Sequence, residues 1–229
     1  MVGFVIAMAR EAEPFIRRYA VAERDLGGRQ AYELDIDGTK AVLTVCGVGK
    51  VNASYATAAL IAAYSPDLII NCGVSGGIGK GLSIGEVIAV KSCVQHDFDT
   101  TAFGAPIGFV ATVDTVFFPT DDALRKAFLR SSGAREGVAA CGDRFVADIK
   151  KKNEIVETFG ADICDMESGA VAQCCLIANK RYLCVRAVSD LADGHAPEDF
   201  PTFVRSASEE LCRVISDFLI ERKQAGLPL

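Results

Sequence analysis

Short apolar runs, closed by glycine or a charged residue and followed by stretches of helical periodicity, recur along this chain and restrict it to one kind of architecture. Residues 2 to 7 form the first run, and Ala12, Phe15, Ile16 and Tyr19 then fall on one face of a helix predicted from about Glu11 to Tyr19. The same alternation returns with Asp67–Asn71, Val87–Val94 and Tyr182–Val188 as strands, and with Ala53–Tyr64, Asp121–Arg130, Glu167–Asn179 and Pro201–Arg222 as helices. Asp121 opens its helix where the dipole favours a negative charge, and Pro201 is expected in the first turn of the last one. One interruption is antiparallel: residues 30–36 and 40–45 flank Asp37-Gly38, a two-residue turn in which glycine supplies positive φ. Runs buried on both faces and separated by helices need a sheet covered on both sides. The expected fold is therefore α/β, one domain over residues 1–229, with a mixed, mostly parallel central sheet flanked by helices on both faces.

Composition narrows the function. At 50% hydrophobic and 24% charged residues the chain has material for a substantial core and is not disordered. A net charge of −6 without a basic stripe argues against nucleic acid as a partner. No apolar run is long enough to span a bilayer, and the N-terminal run lacks a basic region and a cleavage site, so no membrane association is expected. The nine cysteines include no C-x-x-C pair, only adjacent Cys174-Cys175, and read as small apolar core residues in a reducing, cytoplasmic compartment.

Several familiar chemistries are missing. Gly49-Lys50 and Gly79-Lys80 lack the glycine that a phosphate-binding P-loop places five positions before its second glycine, and G-x-G-x-x-G fails at Asn52 and Ile84. No nucleotide cofactor is implied. The two histidines, His96 and His195, read as loop residues without acids or cysteines at metal-ligand spacing, and no G-x-S-x-G elbow supports acyl transfer. Gly73, Gly76 and Gly77 admit two compatible readings, a tight turn after a strand or a close approach of backbone to a small ligand.

Carboxylates remain. Asp190 closes the run Tyr182–Val188, at the kind of strand end where open α/β sheets gather ligands, and a carboxyl held there can donate a proton. Asp165 and Glu167 precede a helix, and Glu11 follows the first strand. Taken singly, Asp165 or Glu167 is equally a helix-start charge, and Asp190 equally a cap or turn residue.

The wider pattern resembles the nucleoside phosphorylase and nucleosidase superfamily, specifically its 5′-methylthioadenosine/S-adenosylhomocysteine nucleosidases. It runs from Val5-Ile6-Ala7-Met8-Ala9-Arg10-Glu11 through Cys46-Gly47-Val48-Gly49-Lys50-Val51-Asn52-Ala53, Asn71-Cys72-Gly73-Val74-Ser75-Gly76-Gly77 and His96-Asp97-Phe98-Asp99-Thr100-Thr101-Ala102-Phe103-Gly104. It continues in Gly142-Asp143-Arg144-Phe145, Asp165-Met166-Glu167-Ser168-Gly169-Ala170 and Arg186-Ala187-Val188-Ser189-Asp190. The resemblance implies cleavage of an adenine–ribose bond through an oxocarbenium-like transition state, with no metal and no organic cofactor.

In that family pattern Asp190 donates a proton to adenine N7, Glu167 accepts hydrogen bonds from the ribose hydroxyls, and Glu11 orients and deprotonates water. Met166 packs on the sugar, Phe145 stacks on adenine, and the backbone around Val146 reads its edge, with Gly76 and Ser189 also at the substrate. Met8, Val48 and Phe200 match the 5′-alkylthio slot, and Phe103 is expected to reach in from the other subunit of a homodimer. Val74 stands where many members carry Ser or Thr, and Ala105 where an aromatic residue often lines the slot. Related phosphorylases hold phosphate with arginines at positions that are Asn71 and Glu11 in this chain, which favours water over phosphate as nucleophile. Hydrolases of futalosine or aminodeoxyfutalosine share most of these residues. A nucleoside-binding protein that kept the fold and lost catalysis is the reading outside enzymes, and its signature, loss of Glu11 or Asp190, is absent.

Overall fold

The computed structural model describes residues 1–193 and 196–228, so the expectation for His195 lies outside the described residues. Ten strands and six α-helices follow one another among them: β1 (Val2–Ile6), α1 (Ala9–Tyr19), β2 (Ala20–Asp25), β3 (Gln30–Ile36), β4 (Thr39–Val45), α2 (Lys50–Tyr64), β5 (Leu68–Gly77), β6 (Val87–Gln95) and β7 (Phe117–Pro119). Then come α3 (Asp122–Ser132), β8 (Arg135–Cys141), α4 (Ile149–Phe159), β9 (Ile163–Asp165), α5 (Ser168–Ile177), β10 (Arg181–Asp190) and α6 (Ala196–Gln224). The fold is the expected single-domain α/β arrangement with a mixed sheet, and its two longest ladders, β5 with β10 and β6 with β8, are parallel.

The sheet is more closed than an open α/β sheet. β10 pairs with β6 on one side and with β5 on the other, and β8 and β9 complete a ring of five strands in the order β5, β10, β6, β8, β9. From β5 the sheet continues outward through β1, β4, β3 and β2. Asp37 (φ 47°) and Gly38 (φ 80°) make the tight turn between β3 and β4, as the Asp-Gly pair requires.

Period-2 alternation explains the two cores. Phe4 and Ile6 of β1, Ile70 and Cys72 of β5, and Leu183 and Val185 of β10 face a cluster with Phe15 of α1, Phe128 of α3, and Leu211, Ile215 and Phe218 of α6. Val5, Ile69 and Cys184 face the opposite way, onto Ala53 and Leu60 of α2 and Val171 and Cys175 of α5. The nine cysteines are unbonded and all except Cys174 are buried, in keeping with packing roles.

Two expectations fail. Gly73, Gly76 and Gly77 form no turn; they belong to β5, and none has positive φ. Pro201 is not in a first turn but is the sixth residue of α6. The helix tolerates the lost backbone bond because the residues beyond it, Val204 to Leu219, bury an apolar face on the sheet.

Candidate active site

Parallel pairing puts the carboxyl ends of β1, β5 and β10 side by side, and the chemistry-bearing residues lie at those ends. Glu11 sits in the first turn of α1, and its side chain folds back so that Oε2 accepts the Met8 N–H at 2.9 Å and Oε1 accepts the Val74 N–H at 2.8 Å. This bend is possible because β5 has glycine opposite: a Cβ at Gly73 would lie 2.7 Å from Glu11 Oε1 and 2.8 Å from Arg186 Nη1. The close backbone approach anticipated for these glycines is thus made first by the protein's own charged groups.

Asp190 ends β10. A bulge between Val188 and Asp190 shifts the register so that Asp190 faces Gly76, where a Cβ would meet Asp190 Oδ1 and Cys164 Sγ, each at 3.1 Å. The Ser189 hydroxyl donates to Asp190 Oδ2 and the Ala192 N–H to Oδ1, both at 2.9 Å. Burial raises the Asp190 pKa despite those two bonds. Glu11 is raised as well, by burial first, against the opposing hydrogen bond from Val74 and the charge of Arg186.

Glu167 precedes α5 but does not cap it; Asp165 does that work, its Oδ1 accepting the N–H groups of Glu167 at 3.0 Å and Ser168 at 2.9 Å. Glu167 Oε1 is left to accept the Gly49 N–H at 2.9 Å. Burial lifts the Glu167 pKa to about 7, with Arg186 pulling it down and Asp165 and Glu11 pushing it up.

Arg186 received no role from the sequence, although an arginine inside an apolar strand was a visible sign that a carboxylate must meet it. It is fully buried. Its Nη2 donates to Asn71 Oδ1 at 2.5 Å, and its Nε lies 3.0 Å from Asp165 Oδ2, off the line of a hydrogen bond, so that pair is held by charge. Burial opposes the guanidinium charge, but Asp165 and Glu167 outweigh it and its pKa stays well above the ordinary value. Asn71 in turn donates to the Val5 carbonyl at 2.8 Å, which locks β1 to β5 beneath the site.

The apolar candidates are divided among several places. Gly76, Phe145, Val146, Met166 and Asp190 line one cavity of about 30 Å³ together with Arg144, Cys164 and Asp165. Phe145, 45% exposed, meets Phe200 edge to face with centroids 5.9 Å apart. Phe200 and Met8 pack on the cluster that contains Val74, whose side chain is buried. Val48 is 45% exposed on the loop before α2. Phe103 stands apart, 91% exposed in the short helical turn Thr101–Phe103, beside an apolar hollow lined by Phe98, Ala105, Phe109 and Val110.

The sequence model of the phosphorylase superfamily matches residues 1–220. A curated 5′-methylthioadenosine/S-adenosylhomocysteine nucleosidase from Staphylococcus carnosus is 31% identical over 227 residues, which are 96% of this chain and 99% of that one. Two solved structures from Helicobacter pylori superpose with a TM-score of 0.92 at 26% identity, over 96% of this chain: a mutant methylthioadenosine/S-adenosylhomocysteine nucleosidase with 5′-methylthioadenosine in its active site, covered to 98%, and a native futalosine hydrolase, covered to 97%. Two buried acids, Glu11 just after β1 and Asp190 at the end of β10, thus lie on either side of the glycine strand β5. The chain belongs to the phosphorylase superfamily and, within it, to the 5′-methylthioadenosine/S-adenosylhomocysteine nucleosidases.

Proposed function

We propose that the protein hydrolyses the N-glycosidic bond of 5′-methylthioadenosine, S-adenosylhomocysteine and related 5′-substituted adenosines, releasing adenine and a 5′-substituted ribose. The observation that carries this reading is the pair of buried acids with raised pKa, Glu11 and Asp190, on either side of the glycine segment of β5. Asp190 keeps a protonated fraction toward neutrality and gives that proton to purine N7 as the C1′–N9 bond breaks and its electron pair moves into the base. The cationic sugar lies over Glu167, which accepts hydrogen bonds from the 2′- and 3′-hydroxyls, with Met166 against the ring. Water attacks C1′ and passes a proton to Glu11, and exchange with solvent restores both carboxyls.

Phe145 stacks on the base and the Val146 backbone reads its edge, while Met8, Val48, Val74 and Phe200 surround the 5′ substituent. Burying one thiomethyl group contributes on the order of 1 kcal/mol, so this wall discriminates weakly between 5′ groups. Glu11 stands beside Arg186 at Gly73, and Arg186 is already engaged by Asp165 and Asn71, an arrangement that disfavours a phosphate dianion. The exposed Phe103 and its apolar hollow support a homodimer in which Phe103 completes the partner's 5′ slot. Nine unbonded thiols suit a reducing, cytoplasmic setting.

The similarity to the futalosine hydrolase structure, equal to that with the methylthioadenosine complex, makes aminodeoxyfutalosine the second substrate to try. The test is adenine release from methylthioadenosine, S-adenosylhomocysteine and aminodeoxyfutalosine, each with and without phosphate. Release without phosphate is expected for the first two; activity only with phosphate would move the chain to the transferases.

A further inference from the structure

Three loops from distant parts of the chain meet in a closed cycle of hydrogen bonds behind the base wall. The Lys50 ammonium donates to Asp97 Oδ1 at 2.6 Å, the Asp143 backbone N–H donates to Asp97 Oδ2 at 2.9 Å, and the Lys50 backbone N–H donates to Asp143 Oδ1 at 2.7 Å. Each carboxylate thus receives a charged donor or a helix-terminal amide, and the cycle has no loose member. Lys50 and Asp97 are only 18% and 30% exposed, so the ion pair is partly shielded from the solvent that weakens most surface pairs.

The location of the cycle gives it meaning. The Lys50 amide that holds Asp143 is adjacent to the Gly49 amide that holds Glu167 Oε1. Asp143 lies two residues before Phe145, and Gly49, at φ 99°, has a conformation that favours glycine and a Cβ position only 3.1 Å from Asp143 Oδ1. The start of α2 therefore ties the base wall and the sugar-side carboxylate to consecutive amides, and Asp97 sets how far the base wall can drift.

We propose that Asp97, Lys50 and Asp143 are positioning residues that hold the Phe145 wall at a fixed distance from Glu167, and so govern affinity for the purine rather than the rate of bond cleavage. This rests on the reading that adenine stacks on Phe145. None of the three touches the reacting atoms; they act through the loop of residues 142–146.

The experiment uses purified full-length protein and compares kcat, KM for methylthioadenosine, and the inhibition constants of both products, adenine and 5-methylthioribose, in Asp97→Ala, Lys50→Met and the double variant. Loss of a charge-assisted bond predicts that KM and the adenine inhibition constant rise about ten-fold in each single variant, with kcat changed less than about three-fold. The methylthioribose constant should stay at the wild-type value, the double variant should be no worse than the worse single one, and Lys50→Arg should recover part of the adenine affinity. If Asp97→Ala does not fold, Asp97→Asn removes the ion pair while keeping an acceptor for Asp143 and serves in its place. An unchanged adenine constant, equal weakening of both products, or multiplicative single effects would overturn the proposal. Wild-type protein that neither released nor bound adenine would instead sink the nucleosidase reading, and the proposal with it.

Discussion

The floor of the site and its rim are built on different physical terms. On the floor, Glu11, Asp165, Glu167, Arg186 and Asp190 are buried, and their partners are mostly backbone amides and side chains of paired strands. On the rim, Val48 and Phe145 are exposed on loops, and Phe145 meets Phe200 edge to face. The difference separates charged groups held in place by paired strands from apolar side chains left facing solvent.

Substitutions on the two sides should differ in what they change. The largest effect is expected for Asp190→Asn, which keeps shape but cannot deliver a proton: kcat should fall about 10²–10⁴-fold with KM nearly unchanged, measured by adenine release. In the wild type, activity should fall as pH rises through the raised pKa of Asp190, and this limb should vanish in the variant. Arg186→Met strands three carboxylates around an empty position and should cost about 3–5 kcal/mol of stability in urea denaturation.

Glu167→Gln tests the floor in the opposite direction. Its folded pKa, about 7, lies above the ordinary value of 4.5, so between these pH values the native state keeps a proton that the unfolded chain has released. Stability is therefore lost as pH rises through that window, and the non-titrating variant should gain on the order of 3 kcal/mol over wild type at pH 8 while matching it at pH 4. On the rim, Phe145→Leu should raise KM by roughly ten-fold and leave kcat nearly intact, through loss of base stacking. The smallest change is expected far from the site, where Arg24→Ala breaks an exposed pair with Glu33 and should alter stability by less than about 0.5 kcal/mol.

The sequence disclosed the elements that carry strong local signals: β1 and β10 as apolar runs, the β3–β4 hairpin with its Asp-Gly turn, and the long closing helix α6. Other elements gave no signal because their stability comes from neighbours. β2 is largely exposed and polar, and β9 is three residues long, so each exists through backbone pairing that leaves no pattern in side chains. α4 buries a single residue, Ile155. The glycines of β5 were legible as a place of close approach but not as strand, since only the folded positions of Glu11 and Arg186 at Gly73 and of Asp190 at Gly76 explain why a side chain is excluded there. Lys50, Asp97 and Asp143 were hidden for the same reason: their spacing, 47 residues between Lys50 and Asp97 and 46 between Asp97 and Asp143, has meaning only once the loops are folded together.

The ring of five strands also dictates when the protein can begin to work. β10 is the last strand made, yet it is the one that inserts between β5 and β6, and it brings both Arg186 and Asp190. Until residues 181–190 leave the ribosome, Glu11 has no cation beside it and the circle of strands stays open. Closure of the site is therefore a late event of synthesis, reached only when β10 has taken its place between β5 and β6.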